Sequence, residues 1–462
     1  MKSRNGDGAK GTQEGGYVTE NAMEREPAEV PEKAKQAGEI QSRWDWVEPS
    51  VWTERMLTAL EQGVKGGKWF SLIDKVYALS NLRAGFKKVK ANGGAAGADH
   101  QAIEAFECHL EENLEKLSQS LKEGNYRPQA IKRVWIPKPG SKEKRPLGIP
   151  TVRDRVVQTA LRNVLEPIFE KGFARQSYGF RPNRGCKDAL RRVSDLLTRG
   201  NTWVVDADLK SYFDTIPHEA LITRVKEQVS DGAVIALLEN YLKQEVMDEV
   251  KQWTPEEGTP QGAIVSPMLS NIYLNPLDHE MEQRGTEMVR YADDFVIMCR
   301  SQAEAEEALE KVRQWTEYSG LKLHPTKTRI VDATQKGGFD FLGYHFERNM
   351  RWPRQKSLNK LKDTIRVKTK RNNGHSLPMI IEDINRTTAG WFEYFKHSYY
   401  TTFSPLDGWI RLRLRSILRR RAGRRGRGRG KDHQRWPNVF FSKHGLLSLV
   451  AAHNEACQSC DR

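Results

Sequence analysis

The chain has 462 residues, 38% of them apolar and 29% charged, with a net charge of +15 and a mean hydropathy of -0.70. That length allows two to four domains with a sizeable core, while the lack of any run of 18 apolar residues argues against a membrane-spanning helix. The positive excess favours a polyanionic partner, of which nucleic acid is the commonest, and five scattered cysteines argue for a reducing, cytoplasmic compartment over a disulfide framework.

Residues 1–45 are polar, rich in Gly, Glu, Lys and Pro, and are expected to be a disordered tail without the apolar core of a signal peptide. From 52 to 90, apolar residues recur at helical spacing (Met56, Leu57 and Leu60; then Leu72, Ile73, Val76 and Leu79). A glycine-rich loop covers 91–99, with Asp99 placed to cap a helix beginning near 101. Residues 131–150 read as a two-stranded hairpin with Lys138, Lys142, Lys144 and Arg145 near its tip. Helices follow at 152–170 and 185–199.

Trp203-Val-Val-Asp-Ala-Asp-Leu209 reads as a short strand, leading through Lys210-Ser-Tyr-Phe-Asp214 to a helix near Glu219. Residues 288–298 read as a hairpin with Asp293 and Asp294 at its turn. A helix over 302–319, an extended piece over 321–330 and a further hairpin strand over 339–346 come next. The order predicts an α+β antiparallel sheet with helices on one face. After 355 the pattern turns helical and basic, with aromatics from Trp391 to Tyr400. Between Arg411 and Arg435 stand twelve Lys or Arg and one acid, including Arg424-Arg-Gly-Arg-Gly-Arg-Gly430. The glycines predict a flexible cationic linker there, ahead of a small packed segment at 436–454.

Tyr291-Ala292-Asp293-Asp294 carries the chemistry. Neighbouring carboxylates in an apolar setting repel each other and lose hydration, which a fold tolerates mainly where cations bind. Asp208 also stands at a strand end. If the two strands are neighbours, Asp208, Asp293 and Asp294 converge and suit two divalent cations about 4 Å apart, one lowering the pKa of a primer 3′-hydroxyl and the other neutralising a triphosphate. Carboxylates match the hard-oxygen preference of Mg²⁺, with Mn²⁺ as a substitute. A nuclease would use similar chemistry, so the carboxylates alone do not choose between synthesis and cleavage. Cys457-Gln-Ser-Cys460 has the spacing of half a zinc site, with His453 four residues upstream of Cys457, but no second cysteine pair follows.

Around the aspartates the chain resembles group II intron-encoded reverse transcriptases. Tyr291-Ala-Asp-Asp294 resembles their catalytic motif, and Asp208-Leu-Lys-Ser-Tyr-Phe-Asp214 their first metal-binding motif. Gly258-Thr-Pro-Gln-Gly262 with Ser266-Pro-Met-Leu-Ser-Asn271 resembles the template and nucleotide segment. Gly320 to Thr328 resembles the next palm motif, and Phe341-Leu342-Gly343-Tyr344 the primer grip. Upstream, Arg145-Pro-Leu-Gly-Ile-Pro150 and Ser177-Tyr-Gly-Phe-Arg-Pro182 are similar to fingers segments. One such motif is weak; the ordered series is specific.

The resemblance implies a right-hand polymerase fold of fingers and palm around an antiparallel sheet, followed by an α-helical thumb or X domain. It divides the chain into a tail (1–45), an N-terminal extension and fingers (46–200), palm (201–350), thumb (351–420), and a basic linker with a short DNA-binding-like segment (421–462). It implies that Asp208 and Asp293 bridge both ions, with Asp294 a less direct ligand and the Leu209 carbonyl assisting. Phe213 would be the steric gate favouring deoxynucleotides, Gln261 and Gly262 would line the nucleotide pocket, and Arg145 would hold phosphates with Lys138 and Lys144 beside it. Lys327 would stand near the leaving pyrophosphate as an acid. Arg181 and Arg184 would hold the palm–fingers interface or touch template phosphates, and Arg411, Arg413, Arg420, Arg424 and Arg425 are further candidates to touch nucleic acid.

Ile384-Asn-Arg386, Gly390 to Phe395 and Leu406 to Arg411 look like the X domain of intron maturases. The implied activity is RNA-directed DNA synthesis joined to intron splicing and retrohoming. Its partners would be group II intron RNA, a template–primer duplex, deoxynucleoside triphosphates and target DNA. The alternatives are an intron-free relative serving repair or defence, and a splicing-only RNA-binding maturase. Many relatives append an HNH-type endonuclease, which Cys457 and Cys460 cannot make alone. A monomer and a dimer both stay open, in the bacterial cytoplasm with nucleoid or ribonucleoprotein.

Overall fold

In chain order, helices Glu54–Gln62, Leu79–Asn92 and Leu110–Lys122 lead to strands β1 (Ile131–Pro137) and β2 (Lys144–Ile149). Helices Val152–Glu170 and Cys186–Thr198 precede β3 (Trp203–Asp208). Helices His218–Gln228 and Gly232–Leu242, the short strands β4 (Val246–Asp248) and β5 (Lys251–Trp253), and helix Ser266–Gln283 come next. Then follow β6 (Glu287–Tyr291), β7 (Asp294–Cys299), helix Gln302–Tyr318, β8 (Arg329–Asp332), β9 (Phe339–Phe341), β10 (Tyr344–Glu347) and β11 (Met350–Pro353). The remainder is helical: Gln355–Lys368, Leu377–Phe395, Phe403–Arg421, Lys431–Arg435, Asn438–Lys443 and Leu449–Cys460. This computed structural model describes residues 43–137, 143–248 and 251–460. The tail expected over 1–45 lies outside them up to residue 42, as do Lys138 and Lys142. The described residues from Trp46 onward form one compact unit.

Helix Val152–Glu170 is the pillar of the N-terminal half. Thr151 caps it, its hydroxyl accepting from the Asp154 N–H, and the helix is buried nearly all round. Gly85 lets helix Leu79–Asn92 lie against its backbone, since a Cβ there would stand 2.9 Å from the Val156 carbonyl oxygen. The glycine-rich loop docks on the same pillar: Arg155 Nη2 donates to the Ala95 carbonyl at 2.6 Å. Asp99 accepts from the Gln101 N–H and so closes a turn, whereas the helix begins at Ile103 with Ala102 at its N-cap. The expected helix cap is therefore a turn cap.

β1 and β2 form the expected antiparallel hairpin, extended by β4 and β5 in the order β2-β1-β4-β5, with β1 and β4 parallel. The second sheet, β6-β7-β3-β8, is antiparallel throughout. Side chains alternate across it. Val204, Val289, Val296 and Met298 point one way and share a core with helix Cys186–Thr198 and with Phe339, Phe341 and Phe346. Val205, Ala207, Phe295 and Ile297 point the other way and are equally buried, where helices Ser266–Gln283 and Gln302–Tyr318 pack. Helices on one face only was too simple: each strand reads as an apolar run because both faces are covered. Regular pairing near the expected extended piece over 321–330 is limited to Arg329–Asp332 and a single bridge from Leu209 to Leu323. The hairpin strand expected over 339–346 is formed by β9 and β10, with its turn at Leu342-Gly343, where both residues hold positive φ as a two-residue turn requires.

The basic block corrects a second expectation. Arg411 to Arg421 belong to helix Phe403–Arg421, whose Leu406, Ile410, Leu414 and Ile417 are buried against Ile380, Ile384 and their neighbours. Residues 422–430 fold back onto that helix. Gly428 donates its N–H to Ser416 Oγ, and a Cβ on it would meet Arg415 at 2.7 Å. Arg419 Nη1 donates to buried Asp432 at 2.6 Å. The glycines permit close packing here instead of a free linker.

Candidate active site

β3 and β7 bring the carboxylates together. Asp208, the last residue of β3, lies directly opposite Asp294, the first residue of β7. Asp293 sits in the two-residue turn between β6 and β7, where Tyr291 pairs with Asp294. The first turn residue, Ala292, holds a φ of +59°, a conformation that glycine ordinarily supplies. Three contacts hold it there. Gly179 presses so close that a Cβ would stand 2.3 Å from the Ala292 nitrogen. Asn271 Nδ2 donates to the Gly179 carbonyl at 2.8 Å, and Arg290 Nη1 donates to the Ala292 carbonyl at 2.9 Å.

The electrostatics follow from that crowding. Burial, then the charges of Asp206, Asp293 and Asp208, push the Asp294 carboxyl up to about 7. Burial raises Asp293 as well, with Asp208 adding to it and Arg290 and Lys327 opposing it. Lys327 Nζ donates to Asp208 Oδ2 at 2.6 Å, and the segment that carries it is pinned by the His324 N–H donating to the Asp208 carbonyl at 2.7 Å. Asp206, two residues back on the same face, is also raised by burial and accepts from Arg329 Nε at 3.2 Å. Among the described residues no group of three or more His, Cys, Asp or Glu is arranged as a ready cage for a metal. The oxygen donors do suit a hard cation that draws its remaining ligands from phosphates and water, as Mg²⁺ does.

The nucleotide candidates assemble around Phe213. It sits in a short 3₁₀ turn beside buried Tyr212, and its carbonyl accepts the Thr259 N–H at 2.6 Å. Gly262, at a φ of +109°, abuts the Gly148 carbonyl of β2, where any Cβ would stand 2.3 Å away; the Gly148 N–H donates to the Gln261 carbonyl at 2.6 Å. Phe213, Gln261 and Gly148 line one cavity of about 560 Å³. Arg145 and Lys144 are exposed on β2. The Leu342-Gly343 turn is clamped by Tyr394, whose hydroxyl donates to the Leu342 carbonyl at 2.7 Å, while the Tyr344 hydroxyl donates to the Tyr394 carbonyl at 2.6 Å.

Several arginines are engaged inside the protein. Arg181 is buried, forked onto Glu170 and donating to the carbonyls of Ala174 and Ser177; Arg184 donates to the carbonyls of Arg175 and Ser177. Both tie chain segments together, with every guanidinium nitrogen of Arg181 bonded inside the protein. Arg413 is bonded to Thr369, and Arg411 faces Asp407 at 3.8 Å. Arg420, Arg424 and Arg425 are exposed. Arg290, Asp278 and Asp206 were not singled out from the sequence. An arginine inside the apolar run of β6 was the available signal.

Residues 136–346 match the family described as reverse transcriptase (RNA-dependent DNA polymerase), and residues 358–436 match the group II intron maturase-specific domain. Together with the fold they define the class: a reverse-transcriptase domain of mixed sheets and flanking helices, followed by a helical maturase domain. Protein YkfC of Escherichia coli K12 is 33% identical over 345 residues, covering 66% of this chain and 86% of YkfC. The group II intron-encoded protein LtrA of Lactococcus lactis is 42% identical over 168 residues, covering 36% of this chain and 28% of LtrA. A solved Cas6-RT-Cas1--Cas2 complex aligns at 22% identity and a TM-score of 0.33, over 54% of this chain and 41% of that one. The chain belongs to the group II intron-encoded reverse transcriptase and maturase family. Among the described residues no helix is long and apolar enough to cross a membrane.

Proposed function

We propose that Asp208, Asp293 and Asp294 are the reaction centre at which this chain copies group II intron RNA into DNA, and that its helical domain binds that RNA to promote splicing and retrohoming. The observation that carries the reading is the in-register opposition of Asp208 and Asp294 with Asp293 in the adjoining turn. Mg²⁺ held by these carboxylates and the Leu209 carbonyl would supply charge neutralisation for phosphoryl transfer. The chain's own residues do the rest. Lys327 stands within reach of the pyrophosphate side to give up a proton. Phe213 excludes a ribose 2′-hydroxyl, Gln261 and Gly262 orient the deoxynucleoside triphosphate, and Arg145 with Lys144 neutralises its phosphates. In right-hand terms β1 to β5 belong to the fingers, the β6-β7-β3-β8 sheet to the palm, and helices from Gln355 onward to the thumb. Exposed Arg420, Arg424 and Arg425 supply phosphate contacts for RNA or target DNA.

The test is template-primed extension with Mg²⁺, comparing wild type with Asp293→Ala. Loss of extension by roughly 10³-fold, with duplex binding retained, is expected. Equal extension by both sinks the assignment. Splicing of the neighbouring RNA at low Mg²⁺, with and without protein, separates a maturase from an intron-free polymerase.

A further inference from the structure

The segment that carries Gln261 and Gly262 is tied at four points. The Thr259 N–H donates to the Phe213 carbonyl and the Gly148 N–H to the Gln261 carbonyl, both at 2.6 Å, and Ser266 Oγ donates to the Pro260 carbonyl at 2.9 Å. The fourth tie comes from outside the ordered motifs. Gln158, in helix Val152–Glu170, accepts the Ile264 N–H on its Oε1 at 2.7 Å. Of these ties it alone lies C-terminal to Gly262 and reaches another element. Gly262, at a φ of +109°, would otherwise let the backbone beyond it swing.

An amide at this position does little for stability. Gln158 is fully buried, and its Nε2 is enclosed with no acceptor among the described residues. A glutamine carries two N–H donors besides its oxygen, and burying them unpaired is unfavourable. Methionine has nearly the same length, no donor to strand, and the flexibility to fill the same space. Packing therefore favours an apolar residue here. What the amide supplies is an acceptor held still at the Ile264 N–H, on a helix buried nearly all round.

We propose that Gln158 is a positioning residue for the incoming nucleotide: from its helix it fixes Ile264, and through Ile264 the Gln261-Gly262 backbone that orients the deoxynucleoside triphosphate. It acts through the loop, not on the reacting atoms. The proposal rests on the polymerase reading above and adds to it a residue that governs nucleotide affinity more than the chemical step. Without the acceptor the loop relaxes before the nucleotide arrives, and binding has to restore it. That ordering cost weakens binding, while the geometry reached in the bound state is rebuilt, so KM rises and kcat is largely kept.

The experiment is single-nucleotide incorporation by the full chain on a primed RNA template with Mg²⁺, in wild type, Gln158→Met and Gln158→Glu. Gln158→Met should raise the KM for the deoxynucleoside triphosphate about tenfold, the worth of one positioned hydrogen bond, with kcat within about twofold. Its melting temperature should stay within about 3 °C of wild type. Its affinity for the primer–template, read by anisotropy without nucleotide, should not change. Gln158→Glu keeps an oxygen acceptor at the same reach whether or not its carboxyl is protonated, so its KM should return to within about twofold of wild type. An unchanged KM in Gln158→Met overturns the proposal. So does a joint fall in kcat, duplex affinity and melting temperature, which is what a merely structural residue would give. A Glu variant that melts like wild type yet matches the Met variant in KM overturns it too. If the Glu variant melts low, KM and kcat of Gln158→Met decide alone. Wild type that extends no primer defeats the polymerase reading itself, whereas active wild type with an equal KM in Gln158→Met defeats only this inference.

Discussion

Arg290 and Asp278 form a bidentate ion pair with both side chains fully buried, Nε and Nη2 donating to the two carboxylate oxygens at 2.7 and 2.5 Å. The rest of the guanidinium is also used. Nη2 reaches Ser177 Oγ at 2.8 Å, and Nη1 reaches Asn271 Oδ1 at 3.0 Å and the Ala292 carbonyl at 2.9 Å. A hydrophobic pair of similar volume would serve stability as well or better. What this pair supplies is a rigid donor at the one carbonyl that fixes the left-handed turn carrying Asp293.

Removing one partner leaves an uncompensated buried charge, so Arg290→Met and Asp278→Leu should each lower unfolding free energy by roughly 3–5 kcal/mol. The double variant should recover most of that loss in urea melts. Extension should stay depressed in the double variant despite recovered stability. Recovery of both together would reduce the pair to packing.

Gly179→Ala places a Cβ 2.3 Å from the Ala292 nitrogen and must shift the turn. A displacement near 1 Å at the reacting geometry costs on the order of 10²-fold in rate. Steady-state extension should show that fall in kcat with the affinity for duplex nearly unchanged. A variant with wild-type kcat would mean the turn is free to move without consequence.

The Asp294 carboxyl, raised to about 7, gives the metal-free protein a definite pH profile. Its folded pKa lies above the unfolded value of about 3.9, so the unfolded state releases its proton first. Stability is then highest below the unfolded value and falls as pH rises toward the folded one. Thermal melts in chelator between pH 4 and 8 should show this decline. Asp294→Asn should flatten it and melt higher at pH 8 while losing extension. A flat wild-type profile would remove the electrostatic account.

Phe213→Ala should open the pocket to a ribose 2′-hydroxyl. Discrimination between deoxy- and ribonucleoside triphosphates, measured as a ratio of kcat/KM values, should fall roughly 10–100-fold. The fall should come mainly from better ribonucleotide use. An unchanged ratio would place Phe213 among structural aromatics beside Tyr212.

Strand identities, the paired aspartates and the ordered motifs were legible because short apolar runs and turn residues are local properties. The basic block was misread for the same reason. Its Arg-Gly composition is what a linker shows, while the apolar stripe Leu406, Ile410, Leu414 and Ile417 that makes half of it a packed helix was interleaved with the arginines. Arg181 stood between two roles because an arginine that closes a fold and one that grips a phosphate have the same side chain. Glu170, eleven residues upstream, is what decides between them.

Sequence alone singled out the residues proposed to carry the chemistry, since three aspartates and a series of motifs in order are one-dimensional facts. Only the tertiary structure decided how they are made usable. Strand register sets Asp208 against Asp294, and Gly179 with the Arg290–Asp278 pair holds a strained turn under Asp293. Gln158 meets the Ile264 N–H beside the Gln261-Gly262 segment. Each of these depends on contacts between residues far apart in the chain, whose energy comes from burial and from unpaired donors that exist only once the chain has folded.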